Sequence, residues 1–313
     1  MTSLLLTGST GFIGSAIHRQ LAGRPDVRLR LLSRTGSAPG RPADVVRGDL
    51  TDASWPPGLC DGVDVIVHAA SYVGADPLLA EQVNHEGTAH LIAEARRAGV
   101  PACVYVSTAS VYGRGPHRGI TENSVAPSPQ SPVSSSRLAA ETLIRAAGGT
   151  VVRPHLVYGP GDRWVVPSMV RLLAALPGWV DDGAARMSMI QVDDLARLVC
   201  ALALHPSVRS AGAVHHANHP QPVTVREAGE ALRRHLAITL PTTTMEYEEI
   251  LRRLPDGVRE RHLDMISFDH WYASQRLWQL TGCRPGRAFP HDLGDAAAWY
   301  SGLAPQPPSG HIA

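Results

Sequence analysis

Three glycines near the start of the chain carry the first chemical signal. The stretch MTSLLLTGSTGFIG places Gly8, Gly11 and Gly14 at GxxGxxG spacing, directly after the apolar run Leu4–Leu6 and directly before the pattern Ile13, Ile17, Leu21. The run has the continuous apolar character of a parallel strand buried on both faces, and the pattern has a helical period. A strand that ends in a glycine turn and opens a helix aims several backbone N–H groups and the positive helix end at one point, where a pyrophosphate fits. A Cβ at these positions would obstruct the turn, the phosphate or the packing of helix on strand. The chemistry predicted is dinucleotide binding, with Thr10, Phe12 and Ile13 completing the turn.

Ser33 and Arg34 end the second apolar run, Val27–Leu32. This is where a dinucleotide fold reads the adenosine ribose, and an enzyme that uses NAD usually places Asp or Glu there for the free 2′-hydroxyl. A carboxylate would repel a 2′-phosphate, whereas a guanidinium and a hydroxyl attract one, so the cofactor expected is NADPH/NADP+. Other reactive residue types give less. His215, His216 and His219 lie close together without the carboxylate or cysteine company of a zinc site, and no metal is predicted. Cys60, Cys103, Cys200 and Cys283 show no CxxC spacing and read as reduced thiols.

These groups need a frame to hold them. Short apolar runs at Val27–Leu32, Val45–Gly48, Val63–His68, Ala102–Ser107 and Thr150–Arg153 alternate with helical patterns over 78–98 and 134–147. That rhythm predicts an α/β fold, a Rossmann-type doubly wound parallel sheet. Residues 1–155 are expected to form the nucleotide-binding domain. Residues 156–313 are expected to be mainly a smaller C-terminal substrate-binding cap, with about 188–216 returning to the Rossmann domain through a helix over Val192–Leu204. The stretch 114–132 holds four prolines and is expected to carry no regular element. The tail from Ala304 is expected to be loose.

Composition narrows the class. With 313 residues, 44% of them hydrophobic, the chain can bury a large core. A formal net charge of +1 and the lack of a basic run argue against nucleic acid or a membrane surface as partner. No apolar run is long enough to span a bilayer, and the first strand starts too early for a signal peptide, so the expected location is cytoplasmic. All 29 basic residues are arginines.

Taken in order, the motifs TGSTGFIG, GDLTD, VIVHAAS, VNHEGTAHL, YVSTASVYG, RPHLVYGPGD and IQVDDLA resemble those of the extended short-chain dehydrogenase/reductases, also called the NAD-dependent epimerase/dehydratase family. The resemblance covers about residues 3–235. It implies that Asp49 and Leu50 contact the adenine and that Ala69, Ala70 and Ser107 line the cofactor. It further implies that Asn84 supports the active site and that Thr108 is the catalytic hydroxyl. The family's YxxxK pair, a tyrosine acid and the lysine that tunes it and binds the nicotinamide ribose, falls on Val133 and Arg137. Arg137 keeps a positive charge and can hold ribose hydroxyls, but it does not release a proton near neutral pH. Val133 supplies no acid at all.

Substrate contacts are expected from Ser71, Tyr72, Val133, His155 and Met187, the last standing where nucleotide-sugar enzymes of the family carry arginine. Neighbouring Arg186 could take that arginine's place. The missing tyrosine and the methionine- and tryptophan-bearing cap resemble the atypical ketoreductases of aromatic-polyketide antibiotic pathways. The function expected is an NADPH-dependent ketoreductase (oxidoreductase) for an aromatic polyketide-type ketone in secondary metabolism, with Thr108 polarising the carbonyl and no tyrosine acid. The alternatives are a non-catalytic NADP(H)-binding redox sensor, or a nucleotide-sugar ketoreductase or epimerase. Retention of Thr108 and Asn84 favours the first, since a sensor has no need of a carbonyl-polarising group. Tyr72, His117 and Ser134 border the expected site as other proton donors, and the partner expected is a small-molecule substrate. The resemblance also implies a possible homodimer through the helices over 78–98 and 134–147.

Overall fold

The structure, a computed structural model, describes residues 1–36, 44–254 and 258–302, so the tail expected to be loose lies outside the described residues. Seven short strands form one sheet: β1 (Thr2–Thr7), β2 (Val27–Ser33), β3 (Asp44–Arg47), β4 (Val65–His68), β5 (Cys103–Val106), β6 (Thr150–Arg153) and β7 (Val214–His216). Their order is β7-β6-β5-β4-β1-β2-β3, and every pairing is parallel. The continuous apolar runs follow from burial on both faces, because Leu4–Leu6, Val65–Val67 and Val104–Val106 are enclosed throughout.

Two layers of helix supply that burial. On one face α1 (Phe12–Leu21) and the helix Val192–Leu204 pack Ile17, Leu21, Leu195 and Val199 against Leu4, Leu6, Val65 and Val67. On the other, Leu91 and Ile92 from the helix Gly87–Arg97 and Ala140 and Ile144 from the helix Pro132–Ala146 cover Leu5, Ile66 and Tyr105. The strand order reverses between β1 and β4, and the crevice beyond their carboxyl ends is where an open α/β sheet receives a ligand.

The helical pattern over 78–98 folds as three pieces. Pro77–Ala80 and Gly87–Arg97 are α-helical, and Glu81–Glu86 between them is a π-turn that carries Asn84 inward. The stretch 114–132 departs from expectation, because His117–Ile120 is a strand. It pairs in parallel with His270–Tyr272 and forms the edge of a four-stranded cap sheet with Arg186–Met187 and Val223–Thr224. The cap has its own core, built on Met169, Leu172, Trp179, Met187, Leu232, Leu263 and Phe289. From there the chain returns to the main sheet through Val192–Leu204, tied to α1 by Arg19 and Asp193 at 2.8 Å, and ends that return at β7. Among the described residues no helix is long and apolar enough to cross a membrane.

Candidate active site

The glycine turn after β1 is closed tightly on its neighbours. Gly8 has φ of +76°, and a Cβ there would lie 2.5 Å from the backbone nitrogen of Ala70 at the end of β4. A Cβ on Gly14 would overlap the Gly8 carbonyl, and one on Gly11 would come within 3.3 Å of it. Gly11 caps α1 without a side-chain bond, so the first N–H groups of that helix face the crevice uncapped. Thr10 is exposed on the turn, Phe12 lies against Gly161, and Ile13 packs on the sheet core. At the far end of β2 Ser33 is buried, with its hydroxyl 3.2 Å from that of Thr35, while Arg34 is exposed. After β3, the carboxylate of Asp49 accepts the Thr51 N–H at 3.1 Å, and Leu50 is buried against Gly87.

Beneath the crevice a polar chain locks the layers together. His68 bridges the Thr7 hydroxyl at 2.6 Å and the Thr88 hydroxyl at 3.0 Å, and Thr88 donates to the Asn84 carbonyl. Burial holds His68 far below the ordinary histidine range, at about 3. Asn84 uses its whole amide. Its Oδ1 accepts from the Tyr72 N–H at 2.7 Å and the Ser71 hydroxyl at 3.1 Å, while its Nδ2 donates to the Tyr72 carbonyl and to Ser136 Oγ. Asn84 therefore acts as a positioning residue for the loop after β4 and for the helix Pro132–Ala146.

A cavity of about 660 Å³ opens between the start of that helix and the cap. Its wall includes Val73, Ser110, Val133, Ser134, His155, Met265, His270 and Tyr272, with Arg259 and Arg261 also lining it. Three residues singled out from the sequence, Val133, Ser134 and His155, meet there. Burial holds His155 well below the usual histidine range and His270 down at about 4, so these rings are neutral near pH 7.

Other expected site residues sit behind this wall. Thr108 caps the turn Ala109–Tyr112: its hydroxyl accepts the Ser110 N–H and donates to Ser110 Oγ, both at 3.1 Å. Of Thr108 and Ser110 it is Ser110 that lines the cavity, a residue sequence reasoning did not single out, because only the tight turn after Thr108 brings it forward. Met187 is not on this wall; it is enclosed in the cap core, where its strand pairs on both sides. The Tyr72 hydroxyl turns back to accept the Asp76 N–H at 3.1 Å, and His117 lies behind Tyr272, whose hydroxyl is 3.3 Å from its Nδ1. Ser134 spends its hydroxyl in a reciprocal cap with Ser131.

Arg137 and Ser107 meet at the end of β5. Arg137 is buried, with Nη2 donating to the Val106 carbonyl at 2.8 Å and Nε left without a partner. Ser107 is buried too, and its hydroxyl is given to Glu141, away from the crevice. Glu141 pairs with Arg153, both side chains enclosed, and Arg153 donates to the Tyr112 hydroxyl at 2.7 Å. Tyr112 in turn lies 2.7 Å from His216 Nε2, so that tyrosine is committed to a buried network. The glycine cradle, the unpartnered Arg137 Nε and the unpartnered buried Ser9 Oγ fit a dinucleotide. Among the described residues no cluster of three or more His, Cys, Asp or Glu could hold a metal ion.

Comparison with known proteins agrees with this geometry. The chain is 30% identical over 241 residues, 72% of each chain, to a 2-alkyl-3-oxoalkanoate reductase of Stenotrophomonas maltophilia. It is 36% identical over 228 residues, 63% of this chain and 68% of the other, to a dTDP-glucose 4,6-dehydratase of Streptomyces griseus. The fold matches a double mutant of DesIV, a dTDP-glucose 4,6-dehydratase of Streptomyces venezuelae solved with NAD and DAU bound, at a TM-score of 0.72 and 26% identity, covering 96% of this chain and 97% of that one. Residues 4–217 match the NAD dependent epimerase/dehydratase family, with the glycine turn, β2 to β7 and all but the first two residues of β1 inside the match, and the chain belongs to that family.

Proposed function

We propose that the chain is an NADP(H)-dependent ketoreductase whose substrate is a ketone with a flat, aromatic polyketide-type body. The observation that carries this reading is the chamber wall, where Val133 and the neutral rings of His155, His270 and Tyr272 meet with no tyrosine hydroxyl at position 133. In a chamber of about 660 Å³, the rings and aliphatic groups that stand beside the charged side chains of Arg114, Arg259, Glu260, Arg261 and Asp264 suit a small molecule with aromatic surface. The similarity to a reductase of 2-alkyl-3-oxoalkanoates supports ketone reduction on this scaffold.

The NAD in the Streptomyces venezuelae dehydratase supports a nicotinamide cofactor in the same crevice, and exposed Arg34 favours the 2′-phosphate of NADP(H). A bound nicotinamide would supply the hydride. Arg137 would set its positive charge beside the ribose hydroxyls while keeping its own proton. Thr108 and Ser110 form a hydroxyl pair from which the carbonyl is polarised. The proton that completes the alcohol comes from a hydroxyl of the substrate beside the ketone, or from water. Arg259 and Arg261 at the chamber, with the similarity to a nucleotide-sugar dehydratase, favour a second reading in which the ketone belongs to a nucleotide sugar.

Oxidation of NADPH against aromatic polyketide ketones and nucleotide keto-sugars in parallel separates the two. Turnover is expected with the aromatic ketones, and methylating the hydroxyl beside the carbonyl should lower kcat by about 10²-fold, the loss of a general acid. Turnover of keto-sugars alone overturns the substrate class. NADPH binding with no turnover of either class reassigns the chain as a redox sensor.

A further inference from the structure

We infer that His155 is a second hydrogen-bond donor to the reacting carbonyl, beside the Thr108–Ser110 hydroxyls and in place of the hydroxyl that Val133 cannot offer; this rests on the ketoreductase reading above. The placement comes from the backbone. The Ala109 N–H donates to the Pro154 carbonyl at 2.7 Å, so His155 follows the residue that is stitched to the Thr108–Ser110 turn. His155 and Ser110 then line the same chamber, with Val133 on its wall as well.

The ring is held, not loose. The backbone N–H of His155 donates to Asn218 Oδ1 at 2.8 Å, and Asn218 is fixed by Ser274 at 3.2 Å and, at its carbonyl, by the Trp278 indole N–H at 2.7 Å. The imidazole packs edge-on to Tyr272 with ring centroids 5.2 Å apart and lies 5.9 Å from His270. Its Nε2 is enclosed there with no partner. The residue is only partly covered and lines the chamber, and Nδ1, unlike Nε2, is not among the enclosed atoms. A neutral imidazole has one N–H. A buried N–H without an acceptor costs more than a buried lone pair without a donor, so the proton belongs on Nδ1, facing the chamber.

Apart from Ser110, which shares the chamber with His155, the hydroxyls that could replace the missing tyrosine are turned elsewhere. Tyr72 turns to the Asp76 N–H and is not part of the chamber wall, Tyr112 lies between Arg153 and His216, and Tyr272 lies against His117. A neutral donor aimed at the carbonyl oxygen stabilises the charge that develops as hydride reaches the carbon. The balance is complete without proton loss from His155. The carbonyl carbon gains hydride from NADPH, NADP+ forms, and the alkoxide takes its proton from the neighbouring substrate hydroxyl or water.

The test uses the intact protein with NADPH and a hydroxylated tetralone as probe. His155→Phe is expected to lower kcat by about 10²–10³-fold, as removal of an oxyanion donor does, with NADPH binding unchanged in a fluorescence titration. His155→Asn places an amide N–H where Nδ1–H stood and should recover most of that loss. His155→Gln reaches the Nε2 position and should not. If the Phe variant does not fold, the Asn and Gln pair still decides, because equal activity of the two overturns the inference. A Phe variant within about threefold of wild type also overturns it and leaves the ketoreductase reading standing. Wild type that binds NADPH and reduces no ketone overturns that reading and this inference with it.

Discussion

Arg34 and Arg137 are the two cations on which cofactor handling turns, and they differ in burial. Arg34 is exposed at the end of β2, while Arg137 is enclosed against the Val106 carbonyl. A charge-assisted contact from Arg34 to a 2′-phosphate is worth about 1.5–3 kcal/mol, so Arg34→Ala should weaken NADPH binding by roughly 10- to 100-fold and leave NADH nearly unchanged. Titration of both cofactors checks it, and wild type that binds NADH as tightly as NADPH would sink the assignment. At this scale the sequence was legible where the backbone itself does the work. The spacing of Gly8, Gly11 and Gly14 states a steric demand that the close approach of Ala70 and the Gly8 carbonyl makes plain. It was less legible where a hydroxyl chooses between neighbours. Thr108 and Ser110 stand two apart in the same turn, and only the fold decides which of them reaches the chamber.

The π-turn Glu81–Glu86 shows how an element can exist to place one side chain. Its extra residue turns Asn84 inward, where the amide ties the loop after β4 to the helix Pro132–Ala146 through four hydrogen bonds. Asn84→Ala leaves the part-buried Tyr72 N–H without its acceptor, which costs about 1–3 kcal/mol at most. The urea midpoint should fall accordingly, and KM for substrate should rise because Val133 and the loop at Val73 lose their common anchor. An unchanged midpoint would show that Asn84 is not the tie. The main-sheet strands were readable because burial on both faces writes an uninterrupted apolar run into the sequence. The strand His117–Ile120 was not. Among the described residues its strand partner is His270–Tyr272, some 150 residues further on, and no local period or propensity records so distant a pairing. For the same reason the cap contributes Arg259, Met265 and His270 to the chamber without any motif to announce them.

Across the whole molecule, buried neutral histidines tie stability to pH. His68 lies under the crevice, His216 at the end of β7, and His155 and His270 where the cap meets the main sheet. Burial is the leading cause in each case, holding His68 at about 3, His216 and His270 at about 4, and His155 well below its ordinary value. In the unfolded chain each titrates near about 6.5. Between those values the unfolded state binds more protons than the folded one, so stability rises with pH and is lost as pH falls below about 6.5. Each histidine contributes a slope of about 1.4 kcal/mol per pH unit inside its window. Asp162, whose burial pushes its carboxyl up, works in the opposite sense but only as pH nears the carboxylate range. Four such histidines acting together are large against a total stability of about 5–15 kcal/mol. Urea unfolding should therefore show a level plateau above about pH 7 and a steep fall towards about pH 5. His270→Gln should flatten the fall by about one histidine's share, since glutamine takes no proton. Hydrogen exchange at the lower pH should open the paired strands His117–Ile120 and His270–Tyr272 before β1. Stability that stays level down to about pH 5 would mean that these rings are already protonated, or solvated, in the folded state.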